Sequence, residues 1–140
     1  NAKNKINQLT DENIQIIDIA PEDSQIVIKL YRQATLFLAP IFGPGGTRLK
    51  ILAAMANGLP VIATKTGIQG LDLKNKKDVL IANKPEEFVK QITTILERPT
   101  LYRQIKNNAF QLIKSRYNWN IIAQQLEIIY EKIVSHENRN

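Results

Sequence analysis

Apolar positions along the chain follow two rhythms. Residues 35–39 (TLFLA), 60–64 (PVIAT) and 78–82 (DVLIA) are unbroken apolar runs of strand length, and Ile14, Ile16 and Ile17 form a shorter β-branched run. Between and after these runs the apolar residues take helical spacing. Pro21, Glu22, Asp23 and Ser24 resemble a helix start, and Ile26, Val27, Leu30 and Ala34 continue it. Residues 3–9 are a short helical candidate. Another helix is predicted after the glycine-rich stretch at 43–46, ending at Asn57-Gly58, a good C-cap pair. The last third is helical: Phe88, Val89, Ile92, Ile95 and Leu96 share one face. Leu101, Ile105, Ala109, Leu112 and Ile113 share a second, and Ile122, Ala123, Leu126, Ile129, Tyr130 and Ile133 a third. Breaks fall at Arg98-Pro99 and Tyr117-Asn118. Strands apolar on both faces and joined by helices predict a doubly wound α/β domain, with a parallel sheet covered on each side, over residues 1–140.

Composition narrows this picture. A 44% hydrophobic content over 140 residues suits a folded domain with a real core. No apolar run approaches the roughly 20 residues that span a bilayer, and the Asn/Lys-rich start carries no signal-peptide pattern. With no cysteine and one histidine, His136, disulfides, thiolate metal sites and His-based zinc sites are not expected. A reducing cytoplasm fits. The net charge of +6 favours anionic partners, but the basic residues are scattered. Their densest cluster, Lys74, Lys76 and Lys77, reads as solvated surface, or as a contact to phosphate or to the inner face of a membrane. No basic stripe with interleaved aromatics suggests nucleic acid. Asn1-Ala2 reads as an expression scar.

The candidate chemistry lies where the run at 35–39 gives way to glycine. In doubly wound sheets ligands bind outside the carboxyl ends of the strands, and the loop from Pro40 to Thr47 lies at that edge. A helix N-terminus there offers N–H groups and partial positive charge. Gly45 and Gly46 permit close approach of a ligand to the backbone. Thr47 can cap the helix or donate a hydroxyl, while Arg48 and Lys50 bring full charge. These residues suit a diphosphate cradle. They suit equally a tight strand-to-helix turn with glycines for packing and two solvated basic residues. The Walker A order is absent.

From Gly46 to Thr64 the chain (GTRLKILAAMANGLPVIAT) resembles the "GTRLKILEAMAxGLPVVxT" signature of group 1 (family 4) glycosyltransferases. Residues 31–40 (YRQATLFLAP) resemble the family's "YxxAxxFxxP" lead-in. Gly67, Ile68, Gln69, Gly70 and Leu71 resemble the loop after the next strand, and Tyr117-Asn118-Trp119 resembles the "F/Y-S-W" before the last helix. The resemblance covers nearly the whole chain. It implies a GT-B architecture, two Rossmann-like domains across a cleft, of which this chain would be part of the C-terminal, donor-binding one. It further implies metal-independent transfer of a sugar from a nucleotide-diphosphate donor, with no cofactor. The diphosphate would sit on Gly45, Gly46, Thr47, Arg48 and Lys50. Ala53, Gly67, Gly70 and Ala20 would line the donor pocket, Ala20 on the nucleobase side. Gly67 and Gly70 also read as ordinary turn glycines.

Departures from the family pattern qualify the resemblance. Of the family's two motif glutamates, the first falls on Gly45 and the second, which typically binds the nucleotide ribose, on Ala53. An alanine accepts no hydrogen bond from ribose. Losing a charge-assisted hydrogen bond costs about 1.5–3 kcal/mol, or roughly one to two orders of magnitude in affinity. Nothing before Ile14 matches the two strands and the Arg/Lys loop that usually open the domain, so the chain is expected to be a fragment, inactive alone and lacking its N-terminal acceptor domain. A sheet without those strands has an exposed edge that invites dimerisation. Trp119 is expected to pack at the start of the last helix, and Ile122, Leu126 and Ile129 to pack on their own domain. Asp72 and Asp78 read as loop and strand-edge residues, not catalytic acids. The second functional reading is a catalytically silent GT-B-like scaffold, favoured by Ala53. A nucleic-acid-binding domain rests on the +6 charge alone.

Overall fold

The computed structural model describes residues 11–20, 23–43 and 48–137. The chain divides into two compact units, Asn1–Leu30 and Tyr31–Asn140. The boundary falls within the first described helix, α1 (Ser24–Gln33). The helical candidate at residues 3–9, the helix start at Pro21 and Glu22, and the glycine pair at 45–46 lie outside the described residues.

In the first unit, Asp11 closes a turn. Its carbonyl accepts the Ile14 N–H at 2.8 Å, and its carboxylate accepts both the backbone and the side-chain N–H of Asn13 at 3.1 Å. The strand predicted at Ile14, Ile16 and Ile17 is absent; the segment is irregular and all three side chains are exposed. β-branched residues favour a strand by fitting a pleated, half-buried surface. Among the described residues no neighbouring strand supplies a ladder.

The second unit carries the sheet. The strands are β1 (Phe37–Ala39), β2 (Val61–Ala63) and β3 (Leu80–Ile81). All are parallel, in the order β1-β2-β3. Phe37, Leu38 and Ala39 stand beside Val61, Ile62 and Ala63, and Ile62 and Ala63 beside Leu80 and Ile81. The helices are α2 (Leu49–Ala56), α3 (Pro85–Glu97), α4 (Pro99–Arg116) and α5 (Trp119–Glu137).

Alternation along β2 divides the core. Val61 and Ala63 pack with Ala39, Val79 and the α2 residues Ile51, Ala54 and Met55. Ile62, between them in sequence, packs with Leu80, Ala82 and the α3 residue Ile95 on the other face. Successive strand side chains point to opposite faces, so an unbroken apolar run is buried on both. The fourth helix serves both layers, with Ala109 in the first cluster and Ile105 in the second. The doubly wound α/β arrangement is therefore present. Among the described residues nothing buries Leu38 of β1 on the side of the second layer, and it remains 44% exposed.

The run at 78–82 makes less strand than its pattern predicts. Asp78 is buried in a turn, its N–H bonded to the Lys74 carbonyl at 2.9 Å and its carboxylate accepting the Lys74 N–H at 3.0 Å. The ladder therefore begins at Leu80. Lys74, Lys76 and Lys77 are exposed, as their charge predicts.

At the C-terminal end two expectations fail. Trp119 is 81% exposed, and Ile122, Leu126 and Ile129 are exposed on α5 instead of packed on their own unit. A helical apolar stripe shows that a helix wants a neighbour; it does not say which surface supplies one.

Candidate functional site

The elements bring three segments to the carboxyl edge of the sheet: residues 40–43 after β1, 64–71 after β2, and 82–84 after β3. Thr64, 1% exposed, closes the buried strand with a polar side chain. Its hydroxyl donates to the Ile41 carbonyl and accepts the Gly67 N–H at 2.9 Å. Lys65 donates its N–H to the Asn83 side-chain oxygen at 2.9 Å. The Thr66 carbonyl accepts from the Arg48 guanidinium, also at 2.9 Å. Asn83 is itself fixed from below, its N–H bonded to the Glu87 carboxylate in the first turn of α3.

Arg48 occupies the N-cap of α2 and makes no side-chain cap there. Its half-buried guanidinium reaches across to the loop after β2. Lys50, two residues on, has its side chain in solvent, and its carbonyl accepts the Tyr31 hydroxyl at 3.3 Å. Residues two apart do not share a helix face, so the two basic residues diverge. Gly45, Gly46 and Thr47, predicted to hold a diphosphate with them, lie outside the described residues.

Gly67 is buried and needs its lack of a side chain. A Cβ there would lie 3.0 Å from the Thr64 hydroxyl and 3.3 Å from the Ala39 carbonyl. Gly70 is exposed with φ +83°, a left-handed turn position. Ala53 is half-buried on α2, its carbonyl accepting the Asn57 N–H at 3.0 Å and the Asn57 side-chain amide at 2.9 Å. Ala20 belongs to the first unit, where it is exposed and its carbonyl accepts the Asp23 N–H at 3.0 Å. Of the predicted site residues, the structure thus brings Arg48 and Gly67 to one cluster.

Sequence reading passed over Thr64 and Asn83. The available signal was a polar residue directly after a strand buried on both faces. Such a hydroxyl must find partners or pay for its burial.

At the opposite end of α2, Arg32, Asn57, Gly58, Lys106 and Phe110 line a cleft of about 390 Å³. Its cations complement the negative end of the helix. Among the described residues no three His, Cys, Asp or Glu side chains gather as a metal site, and no helix is long and apolar enough to cross a membrane.

Residues 1–98 match the profile of the family described as Glycosyl transferases group 1. The chain belongs to that family. A 44.6 kDa protein of the cps region of Klebsiella pneumoniae is 29% identical over 125 residues, which is 84% of this chain and 32% of that protein. A glycosyltransferase of Methanocaldococcus jannaschii is 24% identical over 115 residues, 81% of this chain and 29% of the relative. The chain thus spans about a third of the length of these relatives. Among solved structures, the C-terminal domain of a group 1 family glycosyl transferase from Francisella tularensis superposes with a TM-score of 0.69 at 21% identity. The superposition covers 84% of this chain and 60% of that one. Sucrose-phosphate synthase from Thermosynechococcus elongatus superposes with a TM-score of 0.77 at 22% identity, covering 96% of this chain and 35% of that one. The group 1 fold seen here is therefore the Rossmann-like C-terminal domain of the GT-B architecture.

Proposed function

We propose that this chain is part of the donor-binding domain of a glycosyltransferase, holding a nucleotide diphosphate sugar at the carboxyl edge of its sheet. The observation that carries this reading is the convergence of the α2 cap and the loop after β2 on one side of that edge, joined by Arg48 and Thr66 at 2.9 Å, in a chain of the group 1 family. Backbone N–H groups at the start of α2 would face the diphosphate, with Gly45, Gly46 and Thr47 allowing its approach and Lys50 adding charge. Gly67, Gly70 and Ala53 would border the donor. As sugar is transferred, negative charge grows on the leaving diphosphate, and a fixed helix dipole offsets it without reorganisation. No metal or cofactor enters this scheme. The acceptor would be held by a separate N-terminal domain, so the chain alone would not turn over. It would work in the cytoplasm, peripheral to the inner face of the membrane. An unpaired strand edge would favour a homodimer.

Calorimetry with millimolar UDP, GDP and ADP on the full-length protein tests the reading. Heat of binding is expected for at least one nucleotide. Well-folded protein that gives no heat with any of the three ends the claim.

Ala53 supports a second reading, a silent scaffold domain. Ala53→Glu separates the two: roughly a ten- to hundredfold gain in nucleotide affinity marks a working site that lacks one ligand. No gain from a folded variant favours the scaffold.

A further inference from the structure

Four consecutive residues after β2 each bond to a different neighbour. Thr64 bonds the loop after β1, Lys65 the loop after β3, Thr66 the cap of α2, and Gly67 returns to Thr64. Thr64 is the only one of the four whose side chain is spent in this network. A carbonyl can only accept and an amide N–H can only donate. The Thr64 hydroxyl must therefore give its proton to Ile41 and turn a lone pair to Gly67. No other orientation satisfies both partners. Its backbone is held as well, the N–H to Ala39 and the carbonyl from Ile68, each at 3.3 Å. The missing Cβ of Gly67 is what lets the backbone come this close.

We propose that Thr64 is a positioning residue for the donor site. Its hydroxyl sets the separation between the loop entering the glycine-rich segment and the loop carrying Gly67, so that both stand ready before a ligand arrives. The inference rests on the donor-site reading for its functional consequence, though not for its structural content. Ligand affinity depends on this loop spacing because a preordered site loses less freedom on binding. Side-chain shape alone cannot substitute, because valine fills the same space without donating or accepting.

The test uses the full-length protein, Thr64→Val and Thr64→Ser, with amide hydrogen exchange and UDP, GDP and ADP calorimetry. In the wild type the Gly67 amide is expected to exchange at least about tenfold more slowly than that of exposed Gly70. Thr64→Ser is expected to keep that protection and to bind within about twofold of wild type. Thr64→Val is expected to lose it and to bind about tenfold or more weakly. A Thr64→Val protein with protected Gly67 and unchanged binding overturns the proposal, as does a Thr64→Ser protein that behaves like Thr64→Val. If Thr64→Val does not fold, the wild-type exchange rates and Thr64→Ser decide the matter alone. Absence of nucleotide heat from the wild type refutes donor binding, while the exchange data still decide whether the hydroxyl ties the loops.

Discussion

Tyr31 shows how one side chain links helix, strand and site. Its ring lies 5.7 Å from that of Phe37, and its hydroxyl reaches the Lys50 carbonyl in the first turn of α2. Burial pushes its pKa above the usual tyrosine value, because ionisation there would leave a phenolate poorly hydrated. The sign follows from linkage. The stabilisation is whole below the unfolded pKa of about 10 and is lost as pH rises through the higher folded value. Ultraviolet titration should therefore show one of the tyrosines ionising late. Chemical denaturation above pH 10 should show a loss of stability that Tyr31→Phe abolishes. At this scale the sequence was legible in part. Gly67 was recognisable as a pocket or turn glycine, but neither its close packing on Thr64 nor the role of Arg48 as a strut was. A basic residue at a helix start has the same letter whether it faces a ligand or a neighbouring carbonyl. Only the path of the loop after β2 decides between them.

Among the elements, α2 has the clearest ending. Gly58 donates to the Met55 carbonyl and Leu59 to the Ala54 carbonyl, both at 3.0 Å, with Gly58 at φ +76°. This is a Schellman motif, and its apolar closure is present because Leu59 and Ala54 are both buried. Gly58→Ala is expected to cost about 1–2 kcal/mol, from the left-handed backbone alone. The new methyl would also meet the Lys106 side chain at 3.2 Å, a flexible neighbour that can yield. Thermal unfolding should fall by roughly 2–8 °C. A variant melting with the wild type would show that the cap does not hold the helix end. The Asn57-Gly58 pair announced this ending in the sequence, and α3 has an equally local start, with Pro85 at its head and Glu86 and Glu87 in its first turn. The segment at Ile14 was misleading for a physical reason. Helix caps are local and can be read from adjacent letters. A strand exists only if another strand, distant in sequence, lies beside it.

Across the whole molecule, burial is uneven. The sheet and the helices α2 to α4 enclose two apolar clusters, whereas α5 carries Ile122, Leu126, Ile129, Tyr130 and Ile133 in the open, all at least 38% exposed. Contiguous exposed apolar surface of this kind is unusual. The chain should therefore bind an apolar fluorescent dye in its native state. Leu126→Glu combined with Ile129→Glu should remove much of that signal while changing stability by less than about 0.5 kcal/mol per site, as expected at exposed positions. A large loss of stability instead would mean that these side chains are packed.

The short passage from Ala56 to Val61 has a consequence for the chain's tolerance of length. Only Asn57, Gly58, Leu59 and Pro60 separate helix from strand, and the last two are buried. The passage acts as a ruler. One added residue would advance β2 by half a pleat, turning Ile62 toward α2 and Val61 and Ala63 toward α3. Drift in the length of this domain should therefore be excluded between the glycine that ends α2 and the first residue of β2.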